Sequence, residues 1–342
     1  MIEFSETNIT NLILHKISIE AKNCLVNDSE YDLGESEEEN TLKKIFLKPF
    51  ASAAATYEFS HEINLDLNPL FKLSAAIYDK EDFTETSKNI HQHLKSVSKH
   101  PNIKDGDLFI LKYKNLKMNN KFYEALGIYK VENKESFVET IFTGAGEIKL
   151  QFKKGIGTRK LDKACLILFT EIPYTVLIID NAPVETDYWM NEFIKAGLKN
   201  DNINSTNHFL TLTKSYITGQ LPDEYNVPKT TQIDLLNRSV EYFKNHETFE
   251  KEEFENEIFH DSGIIDSFRK FDESYREKND LKSLENFVIS TQAVKKQAKV
   301  FKSVLKLDRN FHIYIHGDRE LIEQGIDQDG RKFYKIYYQE EL

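Results

Sequence analysis

The sequence predicts an α+β fold, on three observations. Residues 105 to 180 hold successive apolar runs with the two-residue period of strands, while the segments on either side space their apolar residues three to four apart, as helices do. A stretch with two prolines, TGQLPDEYNVPKTT (218 to 231), offers little to a core and reads as a break between domains. The expected organisation is an N-terminal domain, residues 1–220, with a mainly antiparallel sheet flanked by helices. A mostly helical domain, residues 221–342, follows and is closed by a β-hairpin. A chain of 342 residues is long for one core, which favours two.

The elements follow in order. NDSEYDLGESEEEN (27 to 40) carries seven carboxylates and no cation, and reads as an exposed acidic loop. TLKKIFLKPFASAAATYEF has helical spacing up to Pro49, which forces a kink or a new start. In EDFTETSKNIHQHLKSVSKH, Phe83, Ser87, Ile90 and Leu94 fall on one helix face, and Pro101 ends the element. GDLFILKYKNLKMNNKFYEALGIYKVE is a hairpin around Lys117 to Lys121, and SFVETIF, EIKLQF, ACLILFTE and YTVLIID continue the sheet. Helical spacing returns in DYWMNEFIKAGL and TNHFLTLTKSYI. Beyond the break, QIDLLNRSVEYFKNH, TFEKEEFENEIF and DSFRKFDESYREKN are helices, the second with Thr248 as its N-cap. RNFHIYIHG and KFYKIYYQ, around IDQDGR, form the closing hairpin.

Charge narrows the function classes. The chain carries a formal −11, so any contact with a polyanion must be local. AVKKQAKVFKSVLKLDR (293 to 309) concentrates six basic side chains against one acidic. On a helix, Lys295, Lys299, Lys302 and Lys306 form one stripe beside Val294, Ala298, Phe301 and Leu305, with Lys296 and Arg309 nearby. Such a stripe is an anion-facing edge or simply a solvated one. The second basic cluster, KKGIGTRKLDK, holds Lys153, Lys154, Arg159, Lys160 and Lys163. Its glycines do not have the spacing of a phosphate loop. No apolar run approaches the roughly 18 residues of a membrane helix, and MIEFSETNITNL lacks the features of a signal peptide; a cytoplasmic protein is expected.

Residues that could carry chemistry give no catalytic site. Cys24 and Cys165 are far apart and outside any metal spacing, so both read as buried thiols. His91 and His93 would point about 200° apart on a helix and are read as surface residues. His312 and His316 share a strand face but lie roughly 13 Å apart, too far for one ion. No nucleophile-elbow or Cys–His signature stands out, and neither metal nor cofactor is expected.

Several segments in order resemble one family. They are Ile9 to His15 in ITNLILH; Asp82, Phe83, Ser87 and Leu94; Pro101 followed by GDLFILKYK; ALGIYKVENKESF; Leu161, Asp162 and Ala164 in KLDKACLIL; Tyr188 with Phe193; and FKSVLKLDRNFHIYI. Together they are similar to the bacterial NdpA-like nucleoid-associated proteins. The resemblance implies a non-enzymatic protein of the nucleoid that binds DNA or a DNA-handling partner such as topoisomerase IV. Relatives carry a Gly/Arg/Lys-rich turn soon after the position of Phe193, where this chain has KAGLKNDNINSTN. The expectation is therefore contact with DNA phosphates through the two basic clusters, with little sequence readout and with self-association open. The alternative is a protein-interaction module whose acidic segments 27 to 40 and 247 to 257 meet a basic partner, with an enzyme acting on nucleic acid as a distant third.

Overall fold

The computed structural model describes residues 2–53, 55–143, 146–158, 160–181, 188–279, 284–298, 304–307, 309–314 and 321–340. It divides into two units, Met1–Lys199 and Asn200–Leu342. The division falls ahead of the proline-bearing stretch where the sequence put it, because the segment 202–215 gives its apolar face to the second core rather than the first.

In the first unit the elements run β1 (Ile2–Glu3), β2 (Asn8–Ile17), β3 (Leu25–Val26), α1 (Ser36–Phe46), β4 (Tyr57–Phe59), α2 (Pro69–Tyr78), α3 (Phe83–Val97), β5 (Gly106–Met118) and β6 (Lys121–Val131). They continue with β7 (Glu135–Phe142), β8 (Ile148–Gly155), β9 (Lys163–Leu168), β10 (Thr175–Asp180), a π-helical turn (Tyr188–Ile194) and β11 (Ala196–Leu198). Nine strands make one antiparallel sheet in the order β11-β4-β10-β9-β6-β5-β2-β3, with β1 also on β5. Strands β7 and β8 stand apart and pair with each other.

Both faces of the sheet are covered. Ile13, Ile110, Ile128 and Ile167 pack on one side with Leu70, Ile90, Leu94 and Trp189 from α2, α3 and the π turn. Leu111, Tyr129, Leu166 and Leu177 pack on the other with Ile45, Phe46 and Phe50. Short polar side chains start both helices of the first layer: Asn68 accepts from the Phe71 N–H (3.0 Å) beside Pro69, and Asp82 accepts from the Glu85 N–H (2.9 Å). The β5–β6 turn is tighter than the five residues expected. Asn119 and Asn120, both at positive φ, make it alone, as two-residue hairpins prefer. Gly127 is fixed by a close approach, since a Cβ there would lie 2.3 Å from the Tyr129 hydroxyl. Tyr129 lies across that gap to meet the Tyr113 hydroxyl at 3.1 Å.

The second unit contains α4 (Asn202–Ser215), α5 (Leu221–Tyr225), α6 (Lys229–Asn245), β12 (Thr248–Glu250), α7 (Lys251–Phe259), α8 (Ser262–Asn279), β13 (Asn286–Val288) and α9 (Thr291–Ala298). Its core is built on aromatic rings, with Phe209, Phe243, Phe249, Phe254 and Phe268 all buried. Thr248 does not cap α7; it sits on β12 opposite Val288, and Glu250 takes the cap position. Two hairpins end the chain: β14 (Val304–Leu307) with β15 (Phe311–Tyr314), and β16 (Ile322–Ile326) with β17 (Lys332–Ile336). The expected closing hairpin around IDQDGR is present, but RNFHIYIHG contributes to the earlier one instead. Leu307, Ile313, Ile322 and Tyr334 meet at Ile233 of α6.

Candidate nucleic-acid interface

The structure treats the sequence-predicted cations very differently. Lys163 is buried, and its Nζ lies 2.7 Å from Asp180 Oδ1 and 5.0 Å from the centre of the Tyr188 ring. It is withdrawn from any phosphate. The reason is the strand register: Lys163 faces into the layer between β6 and β10, directly beside Lys130 on one strand and Asp180 on the other. Lys130, equally buried, donates to Glu132 (2.6 Å), the Lys104 carbonyl (2.6 Å) and the Tyr188 hydroxyl (3.1 Å). Burial pushes the Lys130 ammonium below its ordinary pKa, against the pull of Glu132, and pushes the Tyr188 phenol well above its own. Two like charges side by side in a sheet are tolerated only because carboxylates and an aromatic face answer them. This network ties the π turn to the sheet through Tyr188.

The exposed cations are fewer. Lys153 and Lys154 lie on β8, where Lys153 is ion-paired with Glu139 of β7 and Lys154 has no ion-pair partner among the described residues. Lys160 is exposed just before β9. Arg159 lies outside the described residues.

The lysine helix expected over 293–309 is shorter. Helix α9 ends its described course at Ala298, with Ala293 and Val294 buried in the second core and Lys295 exposed, as the stripe required. Lys296 is half-buried, and burial lowers its pKa. Lys299, Phe301 and Lys302 lie outside the described residues. Lys306 is on strand β14, opposite His312, so it does not share a helix with the others. The two-residue period of VLKL, its partner FHIY and the turn between them override the helical spacing. Arg309 is exposed in that turn.

The histidines are structural in a way the sequence did not indicate. His91 is buried, not on the surface, with Nε2 3.1 Å from the Lys16 carbonyl. His93 reaches the Phe193 carbonyl at 2.9 Å and stacks on that ring. They do point apart. His15 Nε2 lies 3.0 Å from the Ser87 hydroxyl, which invites comparison with a nucleophile and its base. The geometry opposes that role: His15 Nδ1 accepts from the Asn27 N–H (3.2 Å), so Nε2 carries the proton, while Ser87 donates to the Thr84 carbonyl (2.6 Å). Burial, then the neighbouring His91, lowers the His15 pKa to about 4. His312 is on β15, and His316 lies outside the described residues. Cys165 is buried as expected, whereas Cys24 is half-buried and exchanges hydrogen bonds with the Ser18 backbone.

A groove that sequence reasoning missed lies beside the acidic loop. Leu12, Leu33, Leu42 and Phe109 form its apolar floor, and Glu35, Glu37 and Glu38 stand on its rim, enclosing about 520 Å³. The loop is held in place by the Tyr31 N–H on the Leu12 carbonyl (2.7 Å), Asn11 on Glu30 (3.0 Å) and the Lys88–Asp28 pair (2.8 Å). Only the carboxylate run was legible in the sequence, because the floor comes from strands about a hundred residues apart in the chain.

Fold and charge together define an acidic two-unit α+β protein. No curated protein matches the chain. Residues 13–339 match the family model described as nucleoid-associated protein YejK, and the chain belongs to that family of nucleoid-associated proteins. Among the described residues no helix is long and apolar enough to cross a membrane.

Proposed function

We propose that the protein acts in the bacterial cytoplasm as a non-enzymatic component of the nucleoid, needing no cofactor, and contacts DNA phosphates through Lys154, Lys160, Lys295 and Arg309. Lys153 contributes less, since Glu139 already neutralises it. Arg159, Lys299, Lys302 and Lys306 extend the two clusters in sequence. The observation that carries the reading is membership of a nucleoid-associated family, and the two basic clusters of the sequence supply the candidate contacts. Contacts of this kind position a duplex without reading its bases. A gel-shift series in rising salt tests it: affinity falls linearly in log–log form, and Lys154→Glu with Lys160→Glu lowers the slope by about one for each phosphate no longer neutralised. Binding that ignores salt, or that follows one short sequence, contradicts it.

The groove supports a second reading, in which the protein reaches DNA by holding another protein, such as topoisomerase IV. An apolar floor with three carboxylates on its rim suits a segment with an apolar anchor between basic residues. Glu35→Lys with Glu38→Lys then abolishes partner capture from nuclease-treated lysate and leaves DNA affinity unchanged. Capture that persists in this variant rules the groove out as the docking site.

A further inference from the structure

The hairpin β7–β8 is amphipathic, and among the described residues its apolar face has no partner layer. In its register Val138 sits opposite Phe152, Thr140 opposite Leu150, and Phe142 opposite Ile148, so these six share one face, with Ser136 and Lys154 at its far end. The other face carries Glu135, Glu139, Lys149, Gln151 and Lys153, with Ile141 among them and Phe137 laid over Gly155. On the apolar face, exposure is 79% for Phe142, 76% for Phe152, 64% for Ile148, 62% for Leu150 and 52% for Val138. A lone two-stranded ribbon is at best marginally stable in water, and a contiguous apolar patch of this size marks a contact surface.

We propose that this face packs against the same face of a second copy of the chain, forming a symmetric dimer. Two observations choose a second copy over other occupants. The first is charge: residues 135–155 carry Glu135, Glu139 and Glu147 against Lys149, Lys153 and Lys154, a net of zero in a chain of −11. It is therefore a surface where two copies approach without the repulsion of the rest, and none of the six residues at the centre of the face is a cation that could meet a phosphate. The second is area. The five apolar side chains expose on the order of 600 Å² per copy, so a self-complementary pair removes about 1,200 Å², the lower bound for specific interfaces. A two-fold axis places the Thr140–Leu150 pair nearest its own copy.

Sedimentation velocity of the full chain over a concentration series tests this. The expected result is conversion from the mass of one copy, 39.9 kDa, to that of two, with Phe142→Ser plus Phe152→Ser remaining a single copy and Lys149→Ala, on the opposite face, behaving as the unaltered chain. Should the double variant misfold, mild oxidation of Thr140→Cys provides the second measurement: it yields a covalent dimer on a non-reducing gel, and Glu139→Cys, facing away, does not. A single copy at every concentration overturns the proposal, as does a dimer that survives the double substitution in folded protein. So does a monomer that floats with neutral phospholipid vesicles, which would assign the face to lipid.

Discussion

Two hairpins follow one another in the chain and meet opposite fates. In β5–β6, residues 125 to 131 are buried without exception, between α2 and α3 on one side and α1 on the other. In β7–β8, with the same two-residue alternation, the apolar residues of both strands lie open. Alternation specifies a strand and its faces, but not which layer covers them. For β5–β6 the covering layers are in the same unit. For β7–β8 we infer that the cover is another copy.

The sharpest way to break the comparison is to remove equivalent aromatic rings from the two hairpins. Tyr129→Ala opens a hole against Phe46, whose ring centroid is 4.4 Å away, and takes the hydrogen-bond partner from the buried Tyr113 hydroxyl. It should cost about 3–5 kcal/mol, read as a large fall in the denaturant midpoint. Phe142→Ser in the ribbon should change the stability of a dilute, monomeric sample by less than about 0.5 kcal/mol. Equal losses would mean that the ribbon is part of the core.

Next in size are the buried polar groups. Lys163→Ala removes the buried member of a pair whose other member, Asp180, reaches solvent, and should cost about 1–3 kcal/mol, while the salt slope of DNA binding stays unchanged in the folded protein. His15 gives a similar effect through pH. Its folded pKa, about 4, lies below the ordinary 6.5, so the unfolded chain binds the proton more readily. The stabilisation, roughly 3 kcal/mol, is complete above pH 6.5 and is lost progressively as pH falls toward 4. Urea titrations across that window should show this slope flattened in His15→Gln. Smaller still, Gly127→Ala forces Tyr129 from its place and should cost about 1–3 kcal/mol, seen as a lower melting temperature.

The α+β class and its strands were legible because apolar runs such as ACLILF and TVLIID last six residues or more, bounded by turn residues rather than spaced as a helix face. The 293–309 segment was not, because KVFKSVLK fits both periods; Val294 and Ala298 follow the helix, but Val304 to Leu307 find a strand partner in Phe311 to Tyr314. Lys163 looked like one more member of a basic loop. Nothing in KKGIGTRKLDK shows that its strand would turn it toward Asp180, a partner seventeen residues on. Long-range register decides such cases, and so it also hid the groove floor of Leu12 and Phe109.

Amide hydrogen exchange along β5 to β8 tests, residue by residue, whether a second copy covers the ribbon. Protection in β7–β8 should rise with protein concentration while that of β5–β6 stays constant and high. Exchange in β7–β8 that is fast at every concentration, beside an unchanged β5–β6, would contradict a dimer through this face.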